Sequence, residues 1–192
     1  MRLHGVHSGH GGSDGFEGRR SRVYDFVASR LLRRVYRRLA RDLAPLAPEG
    51  AAVLDVGTGP GVLLVELAEL RPDLRLNGVD RSADMVAAAG RKLARYGERA
   101  SAVTGDAADL PFEDGTFDLV VSSLSLHHWE RPQDAAGELA RVLRPTGLVC
   151  VYDVPAAPFD ELATPGRAVQ RSEVRSGIPF LPRLTRAVYS PA

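Results

Sequence analysis

Apolar and polar positions change rhythm along the chain. From Arg22 to Ala44, Leu31, Leu32, Val35, Tyr36, Leu39 and Leu43 recur at spacings of one, three and four, which predicts an amphipathic helix over 22–44 with this face on a core. Arg30, Arg33, Arg34, Arg37, Arg38 and Arg41 fall on the opposite side, within an arc of roughly 140° at about 100° per residue. After a turn at 45–50, short apolar runs alternate with amphipathic stretches. The runs predict strands at Ala51–Val56, Leu74–Val79, Ala100–Thr104, Phe117–Ser122 and Gly147–Val154. Helices are predicted between them at Gly61–Leu70, Ser82–Tyr96 and Pro132–Leu143, with a shorter helical turn or loop after Asp106. Such alternation implies right-handed crossovers and a mainly parallel sheet with helices on both faces. Two further β-like runs between Arg167 and Tyr189, separated by Gly177, Pro179 and Pro182, read as an antiparallel hairpin at the sheet edge. Residues 1–21, with six glycines and His4, His7 and His10, lack apolar periodicity and are expected to form a flexible tail before a single domain over 22–192.

Composition narrows this picture more than it extends it. The 192 residues are 44% hydrophobic and 26% charged, enough for one substantial core. Twenty-five basic residues against 24 acidic ones leave a net charge of +1, which creates no global field for nucleic acid or anionic membrane. The arginine face is therefore a local feature, read first as a solvated outer surface and second as an attractor for an acidic acceptor, RNA or lipid head groups. A single cysteine, Cys150, excludes an internal disulfide and a thiolate-rich zinc site. The glycine-spaced tail histidines are poorly preorganised, so no metal is expected. No run approaches the roughly eighteen apolar residues of a membrane span, and the expected address is the cytoplasm.

Ligands of such sheets sit beyond the carboxyl ends of the strands, so the residues following each strand carry the candidate chemistry. After the first strand comes VLDVGTGPG, with Asp55, then Gly57, Gly59 and Gly61 leading into an apolar helix. Glycines let the backbone turn sharply and approach a ligand, and free N–H groups at the helix start favour an anionic group, although such turns also serve strand–helix packing. The second strand ends at Asp80, nineteen residues beyond Gly61, where an acid can accept both hydroxyl hydrogens of a ribose. Ser82 already serves as the cap of the next helix. The third strand runs into Gly105 and Asp106, a carboxylate suited to a purine's exocyclic amine or to an ordinary turn. The fourth opens into LSLHHW and brings Ser122, Ser123, His127, His128 and Trp129 to one rim, where a histidine serves as a general base or simply packs.

In order, VLDVGTGPG, GVDRSADMV, GDAADLPFEDGTFDLVVSSLSLHH and LARVLRPTGLVCVYDV resemble class I S-adenosylmethionine-dependent methyltransferases, in particular small-molecule enzymes of the ubiquinone/menaquinone-biosynthesis type. The resemblance spans about Tyr24 to Val154. It implies an α/β, Rossmann-like, doubly wound and mostly parallel seven-stranded sheet of order 3-2-1-4-5-7-6, with a cofactor-binding core at 51–154 and a terminal hairpin at 167–190. It implies S-adenosylmethionine as cofactor, S-adenosylhomocysteine as product and a small-molecule methyl acceptor as partner. By position, Asp55, Gly57, Thr58, Gly59 and Gly61 would line the methionine portion, and Ser122 would close over that end. Asp80 would hold the ribose hydroxyls, Arg81 and Met85 would flank the adenine, and Gly105, Asp106 and the Ala107 N–H would read its edge. A base is needed only where the nucleophile must lose a proton; His127 is the first choice, with His128 and Asp153 behind it.

Only Pro155–Gly166 separates the fifth strand from the hairpin, where many relatives carry a longer helix or lid. The acceptor pocket is then roofed by the N-terminal arm and the 24–36 helix, left open to a large acceptor, or completed by a second subunit in a homodimer. Two alternatives belong to other classes. A nicotinamide-binding oxidoreductase is disfavoured because Gly57, Gly59 and Gly61 give GxGxG rather than GxGxxG. The other is a catalytically silent cofactor-binding or RNA-associated protein using the Arg30–Arg41 face, with nucleic acid the less expected partner.

Overall fold

Strands whose residues are apolar throughout can satisfy their surface only by being covered on both faces. The central strand of this protein, β1 (Ala52–Val56), is of that kind, with all five residues buried. The computed structural model describes residues 31–164, 167–176 and 183–191. A helix over 31–43 (α1) is followed by β1, α2 (Val62–Leu70), β2 (Arg75–Asp80), α3 (Ala83–Leu93), β3 (Ala100–Thr104), β4 (Phe117–Ser123), α4 (Pro132–Val142), β5 (Leu143–Asp153), β6 (Arg167–Val174) and β7 (Leu184–Pro191). The strands form one sheet in the order β3-β2-β1-β4-β5-β7-β6, as expected from the sequence. Pairing is parallel from β3 through β5 and antiparallel at β7 and β6. Residues 1–30, which include the expected tail and Arg30, and the hairpin's Gly177, Pro179 and Pro182 lie outside the described residues. No helix among the described residues is long and apolar enough to cross a membrane.

Side chains alternate across the sheet. Val53, Leu119, Val121, Cys150 and Tyr152 point to the layer formed by α1, α2 and α3. Leu54, Val56, Val120, Val149 and Val151 meet α4 and a 3-10 turn at Phe159–Leu162 on the other face. Helix ends follow local chemistry. Ser82 caps α3 by accepting from the Met85 N–H, and Pro132 supplies the pre-set first turn of α4. Helix α3 stops short of the expected Tyr96 because the chain tightens into 3-10 turns and Gly97 takes φ +61°. Strand β5 starts four residues before the expected Gly147. Leu143 pairs with Phe117, after which the register shifts so that Leu148 faces Leu119. A Cβ at Gly147 would lie 2.9 Å from the Asp118 carbonyl oxygen, so the bulge closes on a residue without a side chain.

Helix α1 docks through Val35, Leu39, Ala40 and Leu43, all buried. Its arginine face is not wholly turned to solvent. Arg33 Nε and Arg37 Nε reach opposite oxygens of Glu66 on α2, at 2.6 and 3.0 Å. The Glu66 side chain is 6% exposed and the two guanidinium partners 57% and 48%. Farther along, Asp42 accepts from the Tyr152 hydroxyl at 2.8 Å and from Arg186 at 3.0 Å, tying α1 to β5 and β7. At the far edge β6 is almost entirely exposed and carries Arg167, Arg171 and Glu173, charges that discourage further strand pairing.

Leu39→Ala should cost about 2–5 kcal/mol of stability through the cavity it leaves. Arg33→Ala, whose partner keeps Arg37, should cost under about 1 kcal/mol. Urea unfolding of both variants measures the contrast.

Candidate functional site

The chain leaves β1 through a turn that requires glycine. Gly57 adopts φ +73°, and a Cβ there would stand 1.9 Å from Ser125 Oγ, so the β4 exit loop lies directly against its Cα. The Gly57 and Thr58 N–H groups donate to the Val79 carbonyl at 2.9 and 3.0 Å. Gly61 adopts φ +72° and approaches Ala89, bringing α2 against α3.

Asp80, at the end of β2, holds this turn in place. Its Oδ2 accepts from the Gly59 N–H at 2.8 Å and its Oδ1 from the Ser82 N–H at 2.9 Å. A carboxylate has about four acceptor positions, so roughly two stay open. Asp80 is part of the wall of a cavity of about 250 Å³, which is also lined by Gly57, Arg81, Gly105, Asp106, Ala107, Ser125, His128 and Trp129. Asp106 is partly a turn residue, its Oδ1 accepting from the Ala108 N–H at 2.9 Å, while its Oδ2 faces Arg131 at 4.0 Å. Across the mouth, Arg81 donates to Glu130 at 3.1 Å. Met85 is exposed on the first turn of α3 and takes no part in the wall.

Deeper residues behind the glycine turn are polar, buried and incompletely paired. Asp55 is fully buried; its Oδ2 accepts from the Thr58 hydroxyl at 2.8 Å and its Oδ1 has no partner among the described residues. Burial pushes its carboxyl up to about 7; the Thr58 bond opposes the rise and the Asp80 charge adds to it. In β4, buried Ser122 follows Val121, the register partner of Asp55, and its hydroxyl is likewise without a partner among the described residues. From α1, Tyr36 is pushed up to about 12 by burial and by the Asp55 and Asp153 charges, against a hydrogen bond from Ser123. The phenol therefore sits among the carboxylates of this rim. Cys150, inside β5, is held as a thiol by burial, its pKa pushed up to about 12, which fits a packing role.

The two histidines divide. His127 Nδ1 lies 2.7 Å from Asp153 Oδ1, and the His127 ring is not part of the cavity wall. His128 lines the cavity, and its ring stands 3.9 Å from that of His127. Of the residues expected from the sequence, Gly57, Asp80, Arg81, Gly105, Asp106, Ala107 and His128 share the cavity, while Asp55, Thr58, Gly59, Gly61, Met85, Ser122 and His127 do not line it. Ser125 and Arg131 were not expected. Trp129 Nε1 donates to Ser125 Oγ at 2.9 Å, which sets the wall opposite Asp80. Nothing local in the sequence marks Ser125, because its importance lies in contact with Gly57, 68 positions away in the chain.

Residues 54–151, just over half of the chain, match the family described as a methyltransferase domain. A demethylmenaquinone methyltransferase from Thermus thermophilus is 37% identical over 64% of this chain and 56% of that protein. A malonyl-[acyl-carrier protein] O-methyltransferase from Geobacter sulfurreducens is 38% identical over 80% of this chain and 57% of that protein. The chain thus spans little more than half the length of these curated relatives. Among solved structures, a SAM-dependent methyltransferase from Aquifex aeolicus aligns with a TM-score of 0.61 at 22% identity, over 77% of this chain and 85% of that one, a likeness of fold. With the family match on the strands that build the glycine turn and its acidic rim, this chain belongs to the methyltransferase domain family.

Proposed function

We propose that the chain is an S-adenosylmethionine-dependent methyltransferase that moves a methyl group to a small-molecule acceptor by in-line displacement. The observation that carries the reading is Asp80, a carboxylate that binds the Gly59 N–H of the glycine turn and still offers acceptor positions to the cavity. The names of the Thermus and Geobacter relatives support methyl transfer to small molecules or carrier-bound ones. A cytoplasmic location and a homodimer belong to the same proposal. The RNA-associated alternative draws less support, because Arg33 and Arg37 are engaged with Glu66.

The residues present fit the cofactor. Among the described residues, Asp55 Oδ1 and the Ser122 hydroxyl are buried polar atoms without partners, suited to an amino-acid tail bearing an ammonium group. Thr58 orients the Asp55 carboxylate, and Gly59, where a Cβ would meet nothing within 4 Å, would leave room for that tail, while Gly57 and Gly61 let Ser125 and Ala89 pack against the turn. Asp80 would hold the ribose hydroxyls, Arg81 would flank the base, and Gly105, Asp106 and the Ala107 N–H would read the adenine edge, all five from the cavity wall. When bound, the cofactor supplies a methyl already made electrophilic by its sulfonium. The protein then has to hold the acceptor in line and keep water out, which supplies much of the acceleration. Where the acceptor must lose a proton, His127 is the first base and His128 the second.

Transfer of label from the methyl-labelled cofactor across a panel of acceptors tests the activity. Asp80→Ala should weaken S-adenosylhomocysteine binding about 10- to 150-fold, as expected for about 1.5–3 kcal/mol of charged hydrogen bonding. Titration calorimetry reads this, and an unchanged affinity removes Asp80 from the site. Affinity should also depend on pH through Asp55, whose surroundings are Thr58, Asp80 and Tyr36. Without ligand its carboxyl keeps its proton up to about pH 7. A bound ammonium favours the ionised form, so binding below that pH releases about one proton and weakens as pH falls. Asp55→Asn should flatten this dependence. Calorimetry in two buffers of different ionisation enthalpy measures the proton release.

A further inference from the structure

Two backbone N–H groups and one imidazole nitrogen converge on one buried carboxylate at the end of β5. Asp153 is fully buried, yet its Oδ1 lies 2.7 Å from His127 Nδ1 and accepts from the Val154 N–H at 2.7 Å. Its Oδ2 accepts from the backbone N–H of His127 at 3.2 Å. A carboxylate has only acceptor positions to offer, and two backbone amides already point at this one. The imidazole consequently donates from Nδ1, which leaves Nε2 as the nitrogen with a free lone pair. Adjacent parallel strands make the pair possible: Ser123 of β4 is in register with Tyr152 of β5, so the turn carrying His127 lies beside the residue that follows. The His127 side chain is 32% exposed, so the ring is anchored on one edge and open elsewhere. Among the described residues the His128 ring has no such anchor; its ring contact is with His127 itself.

We propose that Asp153 is the positioning residue of this rim. It selects His127 as the base and Nε2 as its working atom, and the site accordingly takes acceptors whose nucleophile is a phenolic or enolic hydroxyl. This rests on the methyltransferase reading. An amine attacks with its own lone pair, whereas a neutral hydroxyl must shed a proton to become a competent nucleophile. The hydroxyl oxygen forms the new bond to the methyl carbon as the carbon–sulfur bond breaks and its electron pair returns to sulfur. The hydroxyl proton passes to His127 Nε2, the imidazolium is held by the Asp153 carboxylate, and the proton then leaves to solvent. The net products are a methyl ether, a neutral thioether and one proton.

The test is made on the full chain and begins without an acceptor. Nitrogen NMR of imidazole-labelled protein should find His127 as the Nδ1–H tautomer. In Asp153→Asn the amide nitrogen meets either the imidazole or a backbone N–H, so the tautomer should shift toward Nε2–H while S-adenosylhomocysteine still binds. Trp129, the single tryptophan and part of the cavity wall, reports that binding by its fluorescence. With labelled cofactor and a panel of simple phenols and primary amines, label should go to the phenols. His127→Gln should lower kcat for phenols about 100- to 10,000-fold with little change in KM. This variant is exposed and stands in if Asp153→Asn does not fold. A wild-type Nε2–H tautomer, label on the amines, or phenol transfer that survives His127→Gln overturns the proposal. Absence of any response to S-adenosylhomocysteine overturns the methyltransferase reading beneath it.

Discussion

Burial of the central parallel strands on both faces governs where polar chemistry can exist in this protein. Within β1, β4 and β5, side chains alternate between two apolar layers, and a polar group placed mid-strand would have water on neither side. The polar residues therefore collect where the strands end. Asp55, Asp80, Ser122, Ser123 and Asp153 all lie in the last residues of their strands, at the same edge of the sheet. A parallel sheet repeats its carboxyl ends side by side, so this single constraint converts residues scattered over a hundred positions into one rim.

Four aspartates at or near that rim show how much environment adds to residue type. Asp80 is half-buried and binds two backbone amides, which makes it the brace between the glycine turn and α3. Asp106 is exposed and closes a turn. Asp55 is sealed behind Thr58 with one oxygen unpaired among the described residues, and burial disfavours its charge. Asp153 is equally sealed but meets two backbone N–H groups and the His127 ring nitrogen. The same carboxyl group is thus a brace, a turn closure, an open acceptor and an anchor for a histidine, according to which donors the fold brings within reach.

Helix α1 joins this rim to the rest of the molecule. Its apolar side is part of the core, its Arg33 and Arg37 clasp Glu66, its Asp42 meets Tyr152 and Arg186, and its Tyr36 reaches the carboxylates. The arginine stripe was visible from spacing alone. Its engagement with α2 was not, because that depends on where another helix puts a glutamate.

What the sequence determined by itself was the alternation of elements, the sheet order through the family resemblance, the glycine turn with its acids at the following strand ends, and the pair of histidines after β4. These depend on local periodicity and on spacings within a crossover unit, which a linear chain displays directly. Only the tertiary structure decided that Ser125 rather than Ser122 forms the cavity wall and that, among the described residues, His127 is anchored while His128 is not and one oxygen of Asp55 lacks a partner. Those outcomes turn on contacts of a few ångströms between segments tens of residues apart, and on exclusion of water by the packed layers. Neither is encoded at any single position; both arise when the strands come into register.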